Sequence, residues 1–234
     1  HRLEAMAGLA REGIQVFARV QPVFLPWIDE VAGELVPRLA EAGCRHISVE
    51  CLKLPLERRG SPMVELLDEL GWDAYQVYHE NRALRIGREW VLPPELRWAE
   101  IQPIRERIRN CGMTYGAADL GLTHLGDTAC CCGIDGLPGF DSWFAANFSN
   151  VIWKAEPGPV LLADVMRHRI PRRSVTMYMN SHSRPAASAS IADYLRDKWN
   201  RPGSANAPDS FLGVRWNGEY DLEGNCVYRK EDLA

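Results

Sequence analysis

Three features of the sequence predict an α/β fold built on parallel strands. Helix-like and strand-like patterns alternate three times before Asp119. The first two strand-like segments lie about 30 residues apart with a helix pattern between them, the spacing of a βαβ crossover. Beyond Asp119 the alternation gives way to loops rich in glycine, proline and serine, which marks a change of architecture.

The elements follow in chain order. Leu3, Met6, Ala7 and Ala10 fall at helical spacing and Gly13 ends the pattern, so residues 2 to 12 are expected to be helical. Residues 13 to 20 are rich in β-branched and aromatic types and read as a strand. Pro22 cannot donate to a ladder, which predicts that this strand ends near Gln21 and that a loop runs on past Pro26 to Trp27. Ile28, Val31, Ala32, Leu35, Val36 and Leu39 then form one face of a helix that finishes at Gly43, with Pro37 kinking it or marking its start. A second strand is expected from Cys44 to Leu54, mostly helical structure over 62 to 86, a helix over 94 to 110 opened by Pro94 and closed by Cys111-Gly112, and a strand over Met113 to Ala117. Residues 141 to 168 hold one or two helices broken at 156 to 159, and 187 to 199 another. The tail from Phe211 to Tyr228 reads as a β-hairpin around Asn217-Gly218 and Glu223-Gly224-Asn225, and Arg201 to Asp209 as a linker.

Composition narrows the function classes. Of 234 residues, 46% are apolar, enough for a substantial core, and 27 basic against 31 acidic residues give a net charge of −4. That balance offers no whole-chain attraction to phosphate backbones or anionic lipid, so a nucleic-acid partner is disfavoured. No apolar run approaches the roughly 20 residues that span a bilayer, and no secretory pattern opens the chain. A cytoplasmic protein without membrane association is therefore expected. The chain enters a helical pattern directly at His1, as a segment of a longer protein would. Seven cysteines, three of them consecutive, suit reduced thiols, a metal or redox chemistry better than a disulfide framework.

The sharpest chemical signal runs from Gly112 to Asp135 and gathers Asp119, His124, Asp127, Cys130, Cys131, Cys132 and Asp135 in a glycine-rich loop. Thiolates select zinc or iron–sulfur centres over hard cations. If the loop were extended, Cys130 and Cys132 would share one side and Cys131 would face away, and a complete four-ligand site would need Cys111, His124 or a residue from elsewhere. The competing reading is packing, since free cysteine is among the most buried residue types. A second signal is the pair of strand ends at 19 to 29 and 48 to 57, where Arg19, Gln21, Glu50 and Lys53 occupy the region in which parallel α/β folds bind ligands. Glu50 pairing with Arg19 or Lys53 simply to satisfy burial is the alternative there. The basic run Arg167, His168, Arg169, Arg172 and Arg173, and Arg105, Arg107 and Arg109, read as solvated faces, and His79 and His182 as isolated histidines.

The succession from Leu3 to Glu57 resembles the carboxyl-terminal portion of a radical S-adenosylmethionine protein: a helix into Gly13-Ile14, a strand to Gln21-Pro22 with Pro26 and Asp29 after it, then Glu41-Ala42-Gly43 and a strand into Lys53-Leu54-Pro55. The likeness extends through Tyr115 to Cys130-Cys131-Cys132-Gly133 and covers about the first 135 residues. It implies the C-terminal part of a partial, TIM-like (β/α) barrel over 1–135, followed by a loop-rich helical extension with a terminal hairpin over 136–234. It also implies a small-molecule cofactor, S-adenosylmethionine, bound to a [4Fe–4S] cluster whose C-x3-C-x2-C ligands are absent from this sequence and would lie outside the chain. This polypeptide alone would then generate no 5′-deoxyadenosyl radical, and no catalytic residue is assigned to it; its part would be to shape the site. Carried over, the cofactor-binding positions are Gln21, Pro22, Val23, Glu50 and Lys53, although the G-x-I-x-G-x-x-E pattern of the family's fifth strand is missing. The resemblance leaves two uses for the cysteines, an auxiliary iron–sulfur cluster or return of a hydrogen atom to a substrate radical, for a substrate it does not define. A non-catalytic α/β module with structural zinc at the Cys-rich loop is the reading from another class.

Overall fold

The computed structural model describes residues 1–58, 61–86, 88–119, 122–128, 130–138, 140, 148–167, 191–204, 207–210 and 213–231. The chain packs as two compact units, His1–Tyr115 and Gly116–Ala234, with the Cys-rich loop in the second.

In the first unit, helix α1 (Arg2–Arg11) precedes strand β1 (Val16–Val23). A helical segment follows in four pieces: a 3-10 turn Leu25–Trp27, the α-turn α2 (Ile28–Glu30), a π-turn Val31–Leu35, and α3 (Val36–Glu41). Pro37 explains the mixture. It has no N–H for the Gly33 carbonyl, its ring crowds that carbonyl, and the helix widens into a π-turn just before it. The segment ends at Gly43, whose φ of +81° only glycine adopts freely and where an added Cβ would lie 2.6 Å from the Ala10 Cβ of α1.

Strand β2 (Cys44–Cys51) pairs parallel with β1, Phe17 opposite His46 and Arg19 opposite Ser48. β1 runs further than its proline predicts. It is an edge strand, and the register breaks between Val20 and Val23, so Pro22 sits where no ladder donor is required. The ladder resumes at Val23, whose carbonyl accepts from the Leu52 N–H at 2.9 Å.

The predicted second strand is in fact two. After Leu52 and Lys53 the chain leaves the parallel sheet, and β3 (Leu54–Pro55) joins a small antiparallel sheet in the order β3-β5-β4, with β4 (Leu84–Ile86) and β5 (Glu89–Val91). Between them α4 (Pro62–Glu69) and α5 (Ala74–Glu80) resolve the stretch that sequence pattern leaves without boundaries. This subregion has its own core of Leu52, Leu54, Leu67, Ala74, Tyr78 and Leu92, sealed by edge-to-face contacts among Phe24, Trp27 and Trp72.

Helix α6 (Pro94–Asn110) spans the predicted residues, with Pro94 in its first turn and Cys111 as its cap. Pro103 lies inside it, and the Gln102 side-chain amide donates to the Trp98 carbonyl at 3.1 Å, one turn earlier. β6 (Thr114–Ala117) completes the parallel three-stranded sheet in the order β1-β2-β6. The α2–α3 segment packs on α6, and α3 packs on β2, so the crossovers lie on one side of the sheet. Val36, Ile47, Val49, Ile101, Ile104 and Ile108 are fully buried there. Each such side chain contributes roughly 1.5–3 kcal/mol relative to exposure.

The second unit contains short 3-10 turns at Thr123–Leu125 and Ile134–Gly136, then α7 (Phe148–Lys154), β7 (Gly158–Val160), α8 (Leu162–Arg167), α9 (Ile191–Trp199), β8 (Val214–Tyr220) and β9 (Cys226–Lys230). The hairpin is present, extended by β7 into a three-stranded antiparallel sheet, β7-β9-β8. Its turn lies at 221–225, where the Asp221 carboxylate accepts from the backbone N–H of Glu223 at 2.9 Å and of Asn225 at 2.8 Å. Asn217-Gly218 sits instead within β8, at a register shift with Gly218 at φ +88°. Fully buried Trp199 centres this unit. Its indole donates to the Cys226 carbonyl at 2.6 Å, and its ring meets Phe148 and Tyr228 edge to face.

Candidate metal centre and strand-end site

The Cys-rich loop is a turn. Thr128 Oγ1 donates to the Cys130 carbonyl at 2.7 Å, and the Gly133 N–H donates to that carbonyl at 2.8 Å. Gly133 at φ +68° reverses the chain into Ile134–Gly136, and Asp135 Oδ1 accepts from the Cys130 N–H at 3.2 Å. These bonds close the loop around the three cysteines. The expectation that Cys131 faces away is overturned: it held for an extended chain, and in the turn all three Sγ atoms lie within 4.8 Å of one another. Cys131 and Cys132 sulfurs are 3.8 Å apart, and the Cys132 N–H approaches Cys130 Sγ at 3.4 Å.

Cys130 is buried, while Cys131 and Cys132 are half-buried and none is in a disulfide. Hydrogen bonds with the Cys131 and Cys132 side chains, together with burial, push the Cys130 thiol strongly up, because they favour its neutral form. A bound cation reverses that preference, since a coordinating thiol is deprotonated outright. Of the other expected ligands, Cys111 is the cap of α6 in the first unit, and the His124 side chain lies outside the described part of the structure.

The strand-end residues sit on β1, β2 and the two residues after β2. Phe17, Arg19 and Gln21 alternate onto one sheet face with His46, Ser48 and Glu50 of β2, a polar face opposite the helix-covered one. Gln21 Oε1 accepts from Arg19 Nε at 3.1 Å and Nη2 at 2.6 Å, and Gln21 Nε2 donates to Ser48 Oγ at 3.2 Å. Lys53 pairs with Glu50, the two side chains 26% and 23% exposed. Of the two partners considered for Glu50, it is Lys53 that the structure provides. Pro22 is exposed at the edge, and Val23 is buried.

Sequence reasoning missed His46 and Ser48, both 1% exposed, which extend the polar face; His46 Nδ1 lies 2.9 Å from Thr114 Oγ1. Strand alternation alone carried that signal. It also set aside His79, which lines a cavity with Tyr75, Tyr78 and Trp90. Of the basic clusters, Arg167 pairs with Asp164 at 3.2 Å and Arg105 stacks over Trp98 at 5.0 Å, while residues 168–173 and His182 lie outside the described residues. Among the described residues no helix is long and apolar enough to cross a membrane. Compared with known proteins, the chain matches no family model, no curated protein and no solved structure.

Proposed function

We propose that this is a metal-binding α/β protein whose second unit holds one zinc ion on the Cys130, Cys131 and Cys132 thiolates. The observation that carries the reading is the spacing of the sulfurs. Two thiolates at corners of a zinc tetrahedron, with Zn–S bonds of about 2.3 Å, lie about 3.8 Å apart. Cys131 and Cys132 have that separation, and Cys130 lies within 4.8 Å of both. In an iron–sulfur cube each thiolate binds a different iron and projects from its own corner, so its sulfurs stand farther apart than ligands of one ion. The compact turn therefore favours a single ion over the auxiliary cluster. Three thiolates leave one tetrahedral position for a fourth ligand. The test is metal analysis of the purified chain and of Cys130→Ala/Cys132→Ala. One zinc per chain, absent from the variant, supports the reading; broad visible absorption after anaerobic loading with iron and sulfide, with no zinc retained, rejects it.

A second reading is favoured by the first unit. Sequential strand order with crossovers on one side and a polar opposite face is the arrangement of a barrel wall, whose interior and carboxyl strand ends face the ligand. This supports a partial barrel of the radical S-adenosylmethionine type, with Gln21, Pro22, Val23, Glu50 and Lys53 lining the cofactor pocket. The Glu50 carboxylate and Lys53 ammonium complement the amino and carboxylate groups of that zwitterion. Bound to its cluster, the cofactor supplies radical chemistry; these residues would hold and orient it. A C-x3-C-x2-C motif in coding sequence upstream of His1 would support this reading, and its absence there would remove it.

A further inference from the structure

We infer that the cavity beside α5 and β5 is a binding site for a planar heteroaromatic ligand bearing an anionic group, of the nucleoside monophosphate class. The cavity measures about 830 Å³ and is lined by Tyr75, Tyr78, His79, Glu80, Arg82, Ala83 and Trp90. Its volume lies within the range of small-molecule sites, which combine aromatic walls with a few polar groups.

The walls are fixed. The Tyr75 hydroxyl donates to the Pro55 carbonyl at 2.8 Å, the Tyr78 hydroxyl donates to the Leu52 carbonyl just past the carboxyl end of β2, and Trp90 is held in β5 opposite Leu54. Tyr78 is buried and forms the floor, the Tyr75 ring carries the Arg58 guanidinium over it at 5.5 Å, and the half-buried Trp90 indole is the aromatic surface left for a flat ring, as stacking platforms for nucleobases use.

Arg82 is the observation that points to an anion. Helices α1, α3, α4 and α6 are each followed by a glycine in the left-handed region, at Gly13, Gly43, Gly71 and Gly112. Helix α5 closes with the same pair of bonds as α1, α4 and α6, Arg82 N–H to the His79 carbonyl at 3.0 Å and Ala83 N–H to the Tyr78 carbonyl at 2.9 Å, yet places an arginine there at φ +54°. It is the only non-glycine with positive φ among the described residues. An L-side chain is disfavoured in that position, and such outliers persist where function holds them. No described residue pairs with the Arg82 guanidinium, which is exposed and lines the cavity. Its planar fork suits carboxylate or phosphate. Glu80, whose Oε1 accepts from Gln76 Nε2 at 2.8 Å, presents a carboxylate to an exocyclic N–H of the ring. Ring, amino group and anion together define the ligand class.

Calorimetric titration with adenosine 5′-monophosphate, adenosine and inorganic phosphate tests this on the full chain. Saturable binding of the monophosphate with Kd below about 1 mM is expected, with adenosine about tenfold weaker. Arg82→Gly removes the guanidinium while relieving its backbone conformation, so its melting temperature should hold or rise while the preference over adenosine disappears. Trp90→Phe should weaken both ligands together. No saturable binding to the wild-type chain, equal affinity for monophosphate and adenosine, phosphate binding as tightly as the nucleotide, or a preference that survives in Arg82→Gly would each overturn the proposal. None of these readouts depends on zinc.

Discussion

The carboxyl ends of β1 and β2 and the turn at Cys130–Cys132 solve the problem of half-buried polar groups in opposite ways. At the strand ends the groups satisfy one another: Arg19 donates to Gln21, Gln21 donates to Ser48, and Lys53 pairs with Glu50. In the turn the Cys130 thiol has the Cys131 and Cys132 thiols beside it, and their hydrogen bonds make its ionisation harder. A ligand at the strand ends must therefore replace hydrogen bonds already made, whereas a metal at the turn takes the place of the thiol protons. The turn is the better preorganised of the two for a cation, and the strand ends are self-sufficient without one.

The largest effect that would break this contrast is metal-linked stability. Zinc at a thousandfold excess over its Kd should stabilise the second unit by about 4 kcal/mol, and the gain should vanish in Cys130→Ala/Cys132→Ala. Denaturant unfolding with and without zinc measures it, and an equal gain in the variant would place the ion elsewhere. Next in size is Ser48→Ala, which strands the Gln21 amide on a half-buried face. A loss of about 1–3 kcal/mol without added ligand is expected from the same unfolding experiment. A neutral result would mean that the Arg19–Gln21–Ser48 chain does not hold the strand ends together.

The smallest effect is at the surface of the first unit, where Asp73 caps α5 by accepting from the Gln76 N–H at 3.0 Å and pairs with Arg58. The Gln76 N–H, reinforced by the Arg58 guanidinium, holds this carboxyl below the usual aspartate range. A depressed carboxylate contributes its stability above its unfolded pKa of about 3.9, and that contribution is lost as pH falls through the lower folded value. Asp73→Ala should cost about 1 kcal/mol near neutrality. The difference from wild type should hold down to about pH 4 and shrink below it. A difference that does not vary with pH would show that the charge contributes nothing.

How much of this was legible in the sequence depends on the range of the interaction. α1, α6 and β6 lie close to where periodicity, Pro94 and Cys111-Gly112 place them, because those signals act within a few residues. The small β3-β5-β4 sheet was not legible. Its strands are two or three residues long, and Leu54 meets Trp90 only because both join a shared aromatic core. β7 went unseen for the same reason: Pro159 reads as a breaker, and only the edge of a sheet formed by β9 makes it a strand. In the candidate site, the residue types Cys130, Cys131 and Cys132 were legible, but the direction of Cys131 was not.

By itself the sequence determined the alternation of helices and parallel strands, the run of thiols and the polar residues at the strand ends, since these follow from side-chain chemistry and local backbone preference. Tertiary structure decided that three consecutive side chains converge. Bonds from Thr128, Gly133 and Asp135 close the loop into a turn, whereas an extended chain would have sent Cys131 to the opposite side. It also decided that His79 and Arg82 border an aromatic cavity, because Trp90 reaches them only through pairing with β3 and β4. The physical reason is the same in both cases: local propensity orients a backbone, while hydrogen bonds and burial between distant segments determine which side chains share a space.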